Sequence, residues 1–288
     1  MIDTAIIGAG RLGTSLGYAL SKKGYRIKAV SCKRLSSARQ SLQIIGEGKA
    51  FTDNTQAAKE GELLFLCLPD SEIAKAAEEL AVSTLPWRKK TVFHCSGLLP
   101  AGVLKPLKTK GALTASLHPV QSFSQKKGDL KQFEGIYFSL EGDKGALDLA
   151  QKIVDHFGGT SIFIKGKDKP LYHLACSIAS NFSVVLLNVA VSLLKDIGLE
   201  EDKALKVIMP LIKRTQQNIE EVGIKSALTG PIIRGDEKPL EEHLKALKRY
   251  PAYREIFLQL TAQALEIAKI KNLPPEKIKT LKSLLEAK

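Results

Sequence analysis

A glycine-rich segment near the start of the chain has the spacing of a phosphate-binding loop. Gly8, Gly10 and Gly13 form a GxGxxG pattern that directly follows an apolar run and opens a helical pattern beginning with Arg11 and Leu12. The first glycine permits a tight turn, the second lets the backbone approach a pyrophosphate, and the third lets the helix pack on the sheet. Phosphates would lie on free N–H groups at the helix N-terminus. The pattern predicts dinucleotide binding, the alternative being a plain turn.

The residues that follow the second predicted strand indicate which dinucleotide is bound. An acidic residue roughly 20 positions beyond the loop binds the ribose 2′-hydroxyl of NAD. This segment reads Val-Ser-Cys-Lys-Arg at positions 30–34 and contains no carboxylate. Ser31 could hydrogen-bond a 2′-phosphate, and Lys33 and Arg34 could pair with its charge. We expect NADP, with ordinary surface charges as the other interpretation of the two cations.

Three polar side chains interrupt a long apolar segment of the second half. His173, Ser177 and Asn181 lie at positions i, i+4 and i+8, which share one helical face. Such a stripe is costly to bury without partners, so it forms a satisfied core network or the wall of a cleft. In the functional interpretation His173 exchanges a proton during hydride transfer, because its ordinary pKa suits neutral pH. Asn181 would orient a substrate carbonyl or imine, and Ser177 could support either.

Two further segments carry side chains that could bind or convert a substrate. His118, followed by Pro119, competes with His173 for the proton-transfer role or is a structural histidine fixed by a rigid turn. The later loop has Arg234, which can bind a carboxylate through two hydrogen bonds, and Asp236, which could anchor Arg234 or cap the next helix. The substrate-binding residues predicted in this loop are Thr229, Gly230, Arg234 and Asp236. No histidines or carboxylates have metal-ligand spacing, so we expect no metal.

The elements that position these residues change in kind along the chain. Short apolar runs alternate with helical patterns in the first half, which predicts βαβ units and a mostly parallel sheet. The predicted strands are 4–7, 26–30, 63–68, 91–95, 112–117, 135–140 and 160–164. Helices are predicted at 171–194, 200–221, 239–249, 253–271 and 276–286. We therefore expect an α/β Rossmann domain over 1–166 and an all-α domain over 167–288.

Composition and charge narrow the class of protein. The 288 residues include 43 Lys and Arg against 30 Asp and Glu, a net charge of +13. These charges are dispersed, which argues against a nucleic-acid partner and leaves a phosphate-bearing ligand plausible. The longest apolar stretches, such as 183–194, are shorter than a membrane span, and the N-terminus has no signal-peptide pattern. The four separated cysteines are expected to be reduced, so the sequence predicts a cytoplasmic protein.

The helical half is apolar enough to predict a second subunit. Leu186, Leu187, Val191 and Leu194 would form an apolar surface that a partner could cover. We therefore expect a homodimer without a membrane or nucleic-acid partner.

Several motifs of the sequence resemble those of a known family and follow one another in the same order as in that family. They are Gly8-Ala9-Gly10-Arg11-Leu12-Gly13, Leu68-Pro69-Asp70, His94-Cys95-Ser96-Gly97, Leu117-His118-Pro119, Tyr172-His173 with Ser180-Asn181, and Leu228-Thr229-Gly230-Pro231-Ile232-Ile233-Arg234-Gly235-Asp236. The sequence resembles Rossmann-like proteins with a C-terminal DUF2520 domain. These are related to the pyrroline-5-carboxylate reductase and β-hydroxyacid dehydrogenase superfamily. The resemblance implies a helical domain like the C-terminal domain of 6-phosphogluconate dehydrogenase.

The resemblance also implies a function and further site residues. Leu68, Pro69 and Asp70 would lie along the ribose and nicotinamide, and Ser96 and Gly97 would face the nicotinamide and the substrate. The implied protein is an NADP-dependent oxidoreductase acting on a small, anionic carbonyl, hydroxyl or imine compound between its domains. The alternative is a non-catalytic NADP-binding sensor. Members of the superfamily often carry a catalytic lysine on the first helix of the second domain, whereas this segment has a histidine and no lysine after position 169.

Overall fold

The structure, a computed structural model, describes residues 1–286 and divides into two compact units. The first unit is Met1–Phe182 and the second is Ser183–Lys288. The first unit contains one eight-stranded sheet in the order β3-β2-β1-β4-β5-β6-β7-β8. Its strands are β1 (Asp3–Ile7), β2 (Arg26–Ser31), β3 (Lys49–Phe51), β4 (Leu63–Leu66), β5 (Thr91–His94), β6 (Leu113–Pro119), β7 (Tyr137–Gly142) and β8 (Thr160–Phe163).

The sheet is parallel except where β6 pairs with β7. Its first six strands follow the order 3-2-1-4-5-6 of a Rossmann fold, so the predicted fold class is confirmed. The carboxyl ends of β1 and β4 adjoin at the point where the strand order reverses. Ligands of such sheets bind in the crevice beyond these ends.

Burial on both faces explains why the central strands are continuous apolar runs. Ile6 and Phe65 pack into the core on one side of the sheet, and Ile7 and Leu64 into the core on the other. Successive side chains of a strand point to opposite faces, so both faces here are covered by helices. The helices of the first unit are α1 (Arg11–Lys22), α2 (Leu35–Ile45), α3 (Asn54–Lys59), α4 (Asp70–Val82), α5 (Lys105–Thr109), α6 (Lys144–Phe157) and α7 (Lys169–Ala179).

The second unit is helical throughout its described part. Its helices are α8 (Asn181–Asp196, which begins at the end of the first unit), α9 (Glu201–Ala227), α10 (Pro231–Arg234), α11 (Glu237–Ala246), α12 (Pro251–Ile270) and α13 (Pro275–Glu286). Gly223 has non-helical dihedral angles (φ 78°, ψ 163°), so α9 is two helical stretches that meet at a kink. The helix predicted at 200–221 corresponds to the stretch before this kink.

The long helix predicted at 171–194 is interrupted. Ser180 separates α7 from α8, with φ −107° and ψ −69°. Serine and asparagine side chains compete for backbone hydrogen bonds, which weakens a helix where they are adjacent, as at Ser180 and Asn181. The units divide after Phe182, whereas we predicted a domain boundary after residue 166. As a result, α7 lies in the first unit.

The segment Gly166–Asp196 is more apolar than the sequence analysis recognised. Its most apolar 18-residue window has a mean hydropathy of 1.9, and only 6% of that window is buried. By length and composition alone, the segment could cross a membrane. Many of its large apolar side chains are exposed, including Leu171, Ile178, Val184 and Val185.

Candidate functional site

The three glycines of the loop have three different local environments. Gly8 has a positive φ of +88°, and a Cβ added there would lie 2.6 Å from Leu68 Cδ2 and 2.7 Å from the Cys67 carbonyl oxygen. A Cβ at Gly13 would lie 2.5 Å from the Gly8 carbonyl oxygen. A Cβ at Gly10 would meet no atom within 4 Å. The first glycine thus makes the turn, the third makes the close packing of α1, and the second faces open space.

A cavity of about 620 Å³ begins at this loop. Gly10 is the N-cap residue of α1 and forms no side-chain capping bond, so the first N–H groups of the helix remain available to a ligand. The cavity is lined by Gly8, Ala9, Gly10, Cys32, Lys33, Ser37, Thr52, Asn54, Cys67, Leu68, Pro69, Glu72, Lys75, Ala76, Glu79 and Lys126. An open glycine, an uncapped helix N-terminus and nearby cations fit the phosphates of a dinucleotide.

Two of the residues predicted to bind a 2′-phosphate are placed elsewhere. Ser31 is fully buried and its hydroxyl donates to Asn54 Oδ1 at 2.8 Å, because β2 extends to this residue and turns its side chain into the protein. Arg34 precedes α2 and does not line the cavity. Lys33 does line it, and its Nζ lies 3.4 Å from Glu72 Oε2. Of the three residues, Lys33 lines the cavity, and 2′-phosphate binding by this set stays a prediction.

Lys126 is a cation of this cavity that the sequence analysis did not identify. Its Nζ donates to Ser41 Oγ at 3.0 Å and to the Ser37 carbonyl oxygen at 3.3 Å. These bonds join the segment after β6 to α2, so Lys126 and Lys33 line the same cavity. The partners are more than 80 residues apart in sequence, and no local pattern could have indicated this contact.

Two more cavities continue from the first along the carboxyl edge of the sheet. The second, of about 400 Å³, shares Gly10, Cys67, Leu68 and Pro69 with the first cavity. It is also lined by Arg11, Leu12, Asp70, Cys95, Ser96, Gly97, His118, Pro119, Gln121, Phe123 and His173. The third, of about 590 Å³, shares His118, Gln121 and His173 with the second. All three lie in the first unit.

The third cavity brings together the polar residues predicted on the apolar helix. His173, Ser177 and Asn181 all line it, although the helix breaks at Ser180. His118 reaches the same cavity from the end of β6. The structure thus places both candidate histidines in one site.

The two histidines meet at Gly97. Their ring centroids are 6.3 Å apart, and a Cβ on Gly97 would lie 2.8 Å from both His118 Nε2 and His173 Cδ2. Burial, followed by the charges of Lys169 and His173, lowers the pKa of His118 to about 4. His118 Nδ1 lies 2.8 Å from the hydroxyl of Tyr172. His118 is therefore neutral at neutral pH.

Lys169 is a buried cation behind this site, and the sequence analysis gave it no role. Its side chain is 1% exposed, and Nζ donates to the Ser96 carbonyl oxygen at 3.1 Å and to Ser116 Oγ at 2.5 Å. Burial lowers its pKa to about 8. It does not line the three cavities. In sequence it follows a polar turn four residues before His173, a position typical of a surface charge.

Ser96 is held in place from several sides. Its hydroxyl oxygen accepts the backbone N–H groups of Leu98 at 3.1 Å and Leu99 at 2.9 Å, and its own N–H donates to His94 Nδ1 at 3.2 Å. Burial, followed by the charge of Lys169, lowers the pKa of His94 to about 3. Ser96 and Gly97 therefore form a rigid turn at the end of β5.

Two thiols lie in the wall of the second cavity. Cys67 and Cys95 follow the neighbouring strands β4 and β5, and their Sγ atoms are 3.6 Å apart. Both are free cysteines, and their mutual hydrogen bond together with burial raises the pKa of Cys67. Within residues 1–286, no group of three or more His, Cys, Asp or Glu side chains could hold a metal ion.

The predicted substrate loop lies in the second unit. Gly230 has a φ of +103° and precedes the short helix α10. Arg234 Nε donates to Asp236 Oδ2 at 2.8 Å, and both side chains are exposed. Asp236 precedes α11 without a side-chain capping bond, so it anchors Arg234 and does not cap the helix. Substrate binding by Thr229, Gly230, Arg234 and Asp236 stays a prediction.

The fold and the glycine loop define a Rossmann-type protein with a helical C-terminal region, and two family models match it. Residues 1–119 match a Rossmann-like domain, and residues 136–264 match the domain of unknown function DUF2520. The chain thus joins a Rossmann-like domain to a DUF2520 domain, which confirms the resemblance found in its motifs. No curated protein matches the sequence.

Solved structures of similar fold extend over nearly the whole chain. A Bacteroides fragilis protein with the provisional name NADP oxidoreductase is 27% identical, with a TM-score of 0.77 over 92% of this chain and 98% of its own. A Thermotoga maritima protein is also 27% identical, with a TM-score of 0.72 over 94% of this chain and 100% of its own. Pyrroline carboxylate reductase from Plasmodium falciparum, solved with NADP bound, is 12% identical, with a TM-score of 0.60 over 98% of each chain. This last likeness concerns the fold alone.

Proposed function

We propose that the protein is an NADP-dependent oxidoreductase that transfers hydride between the nicotinamide and a small carbonyl, hydroxyl or imine substrate. The observation that carries this proposal is the line of three adjoining cavities in the first unit. The line runs from the glycine loop, past Ser96 and Gly97, to His118 and His173. The provisional name of the Bacteroides fragilis protein supports the same class of reaction.

The cavity at the glycine loop favours NADP over NAD. Lys33 and Lys126 both line it, and their ammonium groups can pair with a 2′-phosphate, which NAD lacks. The two hydrogen bonds that Lys126 makes to α2 hold its Nζ at the cavity wall. Lys33 is partly neutralised by Glu72, so Lys126 is the stronger candidate.

Calorimetric titration with NADPH and NADH tests this assignment. We expect the wild type to bind NADPH more tightly than NADH, and Lys126→Ala to reduce that ratio about tenfold, the loss of about 1.4 kcal/mol from one charged hydrogen bond. Arg34→Ala is the matched control, because Arg34 is the cation next to Lys33 in sequence and does not line the cavity. If neither nucleotide binds, the proposed function fails. If both bind equally in the wild type, only the NADP assignment fails.

The bound nicotinamide would supply or accept the hydride, and the side chains of the third cavity would handle the proton. His173 gives or takes the proton at the substrate oxygen or nitrogen, Asn181 orients that group, and Ser177 supports either residue. Gly97 lets both histidine rings pack against the backbone that follows β5, since any side chain there would collide with both rings. A screen of small carbonyl and imine compounds for NADPH oxidation tests this chemistry.

A non-catalytic NADP sensor is the second candidate function, and the position of Lys169 favours it. Its amine is bound to a backbone carbonyl and does not line the cavities, so it cannot act on a substrate as an exposed lysine would. Bound NADPH that no compound in the screen oxidises would support the sensor. Oxidation by any of them would exclude it.

We further propose that the protein is a cytoplasmic homodimer without a membrane partner. The exposed apolar side chains of Val184, Val185 and Leu186 on α8 provide a surface that a second copy could cover, whereas Val191, which the sequence placed on this surface, is buried. Light scattering at micromolar concentration should give twice the mass of one chain. A monomeric mass refutes the dimer, and sedimentation with lipid vesicles would show instead that a membrane covers this segment.

A further inference from the structure

Tyr172 and His118 form a polar pair beside the cavities. The Tyr172 hydroxyl and His118 Nδ1 are 2.8 Å apart, and the rings meet edge to face at 89° with centroids 5.7 Å apart. The contact joins α7 to the end of β6. Tyr172 does not line any of the three cavities, whereas His118 lines two of them. Tyr172 also interacts with Cys176, which lines the third cavity, but its hydroxyl contact to His118 is the one that reaches both cavities.

The protons of this pair can be assigned from its chemistry. Burial raises the pKa of Tyr172 to about 12, so the phenol keeps its proton at neutral pH. Burial lowers the pKa of His118 to about 4, so the imidazole is neutral and carries one N–H. An imidazole nitrogen is a far stronger base than a phenol oxygen, so the phenol donates to Nδ1. The single N–H of His118 is therefore on Nε2.

Nε2 lies against Gly97, whose lack of a side chain lets the His118 ring approach the backbone. A Cβ on Gly97 would lie 2.8 Å from His118 Nε2 and 2.9 Å from His118 Cε1. Both the second and third cavities are lined by His118 and His173, so the two cavities adjoin at these rings. An N–H group at this position can donate to a ligand atom that occupies the junction.

We propose that Tyr172 is a positioning residue that fixes His118 as its Nε2–H tautomer, so that His118 donates a hydrogen bond to the reacting oxygen or nitrogen of the substrate. This inference rests on the proposed function. As hydride adds to the substrate carbon, the C=O or C=N π electrons move onto the oxygen or nitrogen, where the His118 N–H stabilises the developing negative charge. His173 then supplies the proton to that atom. The two histidines thus have different roles.

Nitrogen NMR of the full chain labelled at its histidines reads the tautomer directly, without cofactor or substrate. The protein has five histidines, and the signals of His118 are those that are missing from the spectrum of His118→Gln. We expect His118 to be protonated at Nε2 in the wild type and to become a mixture of tautomers in Tyr172→Phe. Tyr137→Phe, which changes an exposed tyrosine of the same unit, should leave the signal unchanged. A wild-type His118 protonated at Nδ1 overturns the proposal even if Tyr172→Phe does not fold, and so does a tautomer that Tyr172→Phe leaves unaltered.

Kinetics with a compound found in the NADPH screen give a second readout. We expect His118→Ala to lower kcat about 100-fold, as for loss of one preorganised donor, and Tyr172→Phe to lower it about tenfold with little change in KM. Equal effects of Tyr172→Phe on binding and turnover would contradict a role in the transition state. Failure of NADPH binding overturns the proposed function but leaves the tautomer result intact, so the two failures are distinguishable.

Discussion

The buried Lys169 makes the stability of the first unit depend on pH in a predictable direction. Its pKa is about 8 in the folded protein and 10.5 in the unfolded chain. Between these values the unfolded state binds more protons than the folded state, so the free energy of unfolding rises with pH. For one such group, the gain between pH 7 and pH 10 is about 2.5 kcal/mol, with about 1.4 kcal/mol of it present by pH 9. Below pH 8 Lys169 is charged in both the folded and the unfolded state, so the free energy of unfolding no longer changes with pH through this group.

Replacing the amine with an apolar side chain isolates this effect. Urea unfolding of wild type and Lys169→Met is followed by the fluorescence of Trp87, the single tryptophan, which is buried in the first unit. We expect the wild type to gain about 2.5 kcal/mol relative to the variant between pH 7 and pH 10. Lys152→Met, a change of an exposed lysine on α6, should show no such difference. Wild-type and Lys169→Met curves that stay parallel over this range refute the reasoning, because Lys169 then titrates alike in both states.

Three further substitutions test packing and the assignment of roles. Gly97→Ala should lower the free energy of unfolding by about 1–3 kcal/mol and displace His118, because the added Cβ would come within 3.0 Å of the ring. Urea unfolding measures the first effect, and histidine NMR measures the second. Gly8→Ala should weaken NADPH binding in calorimetry and lower the melting temperature, since alanine is strained at a φ of +88°; unchanged binding and stability would contradict this. Ser31→Ala should destabilise the protein by about 1 kcal/mol through loss of the bond to Asn54, yet leave the ratio of NADPH to NADH affinity unaltered. A changed ratio would instead support a hydrogen bond from Ser31 to the 2′-phosphate.

The parts of the fold that local patterns predict are those with strong periodicity or strict backbone demands. The apolar runs that become β1 and β4 are predicted because strands covered on both faces need them. The glycine loop is predicted because Gly8 and Gly13 tolerate no side chain and Gly10 keeps the spacing of the motif. By contrast, β3 (Lys49–Phe51) has no pattern of its own and exists through its pairing with β2. The residues Lys-Ala-Phe therefore do not predict a strand on their own.

The sequence is least informative about the site where long-range packing decides the environment of a side chain. Ser31 and Arg34 have the residue types that suit a phosphate, but Ser31 is buried at the end of β2 and Arg34 does not line the cavity. Lys126 and Lys169 show the converse. Both lie in polar segments that resemble surface loops in sequence, and hydrogen bonds to distant parts of the chain place them at the site. The identity of a charged residue can be obtained from sequence, whereas its burial cannot.

The charge behind Ser96 also bears on the direction of the proposed reaction. An oxidised nicotinamide ring is a cation and a reduced ring is neutral. A protonated Lys169 close behind the second cavity therefore repels the oxidised ring and leaves the reduced ring unaffected. Under the proposed function the empty protein should prefer NADPH to NADP⁺, and this preference should fade as the pH rises through 8 and the amine loses its charge. Release of the oxidised cofactor after reduction would then be assisted electrostatically by the buried amine.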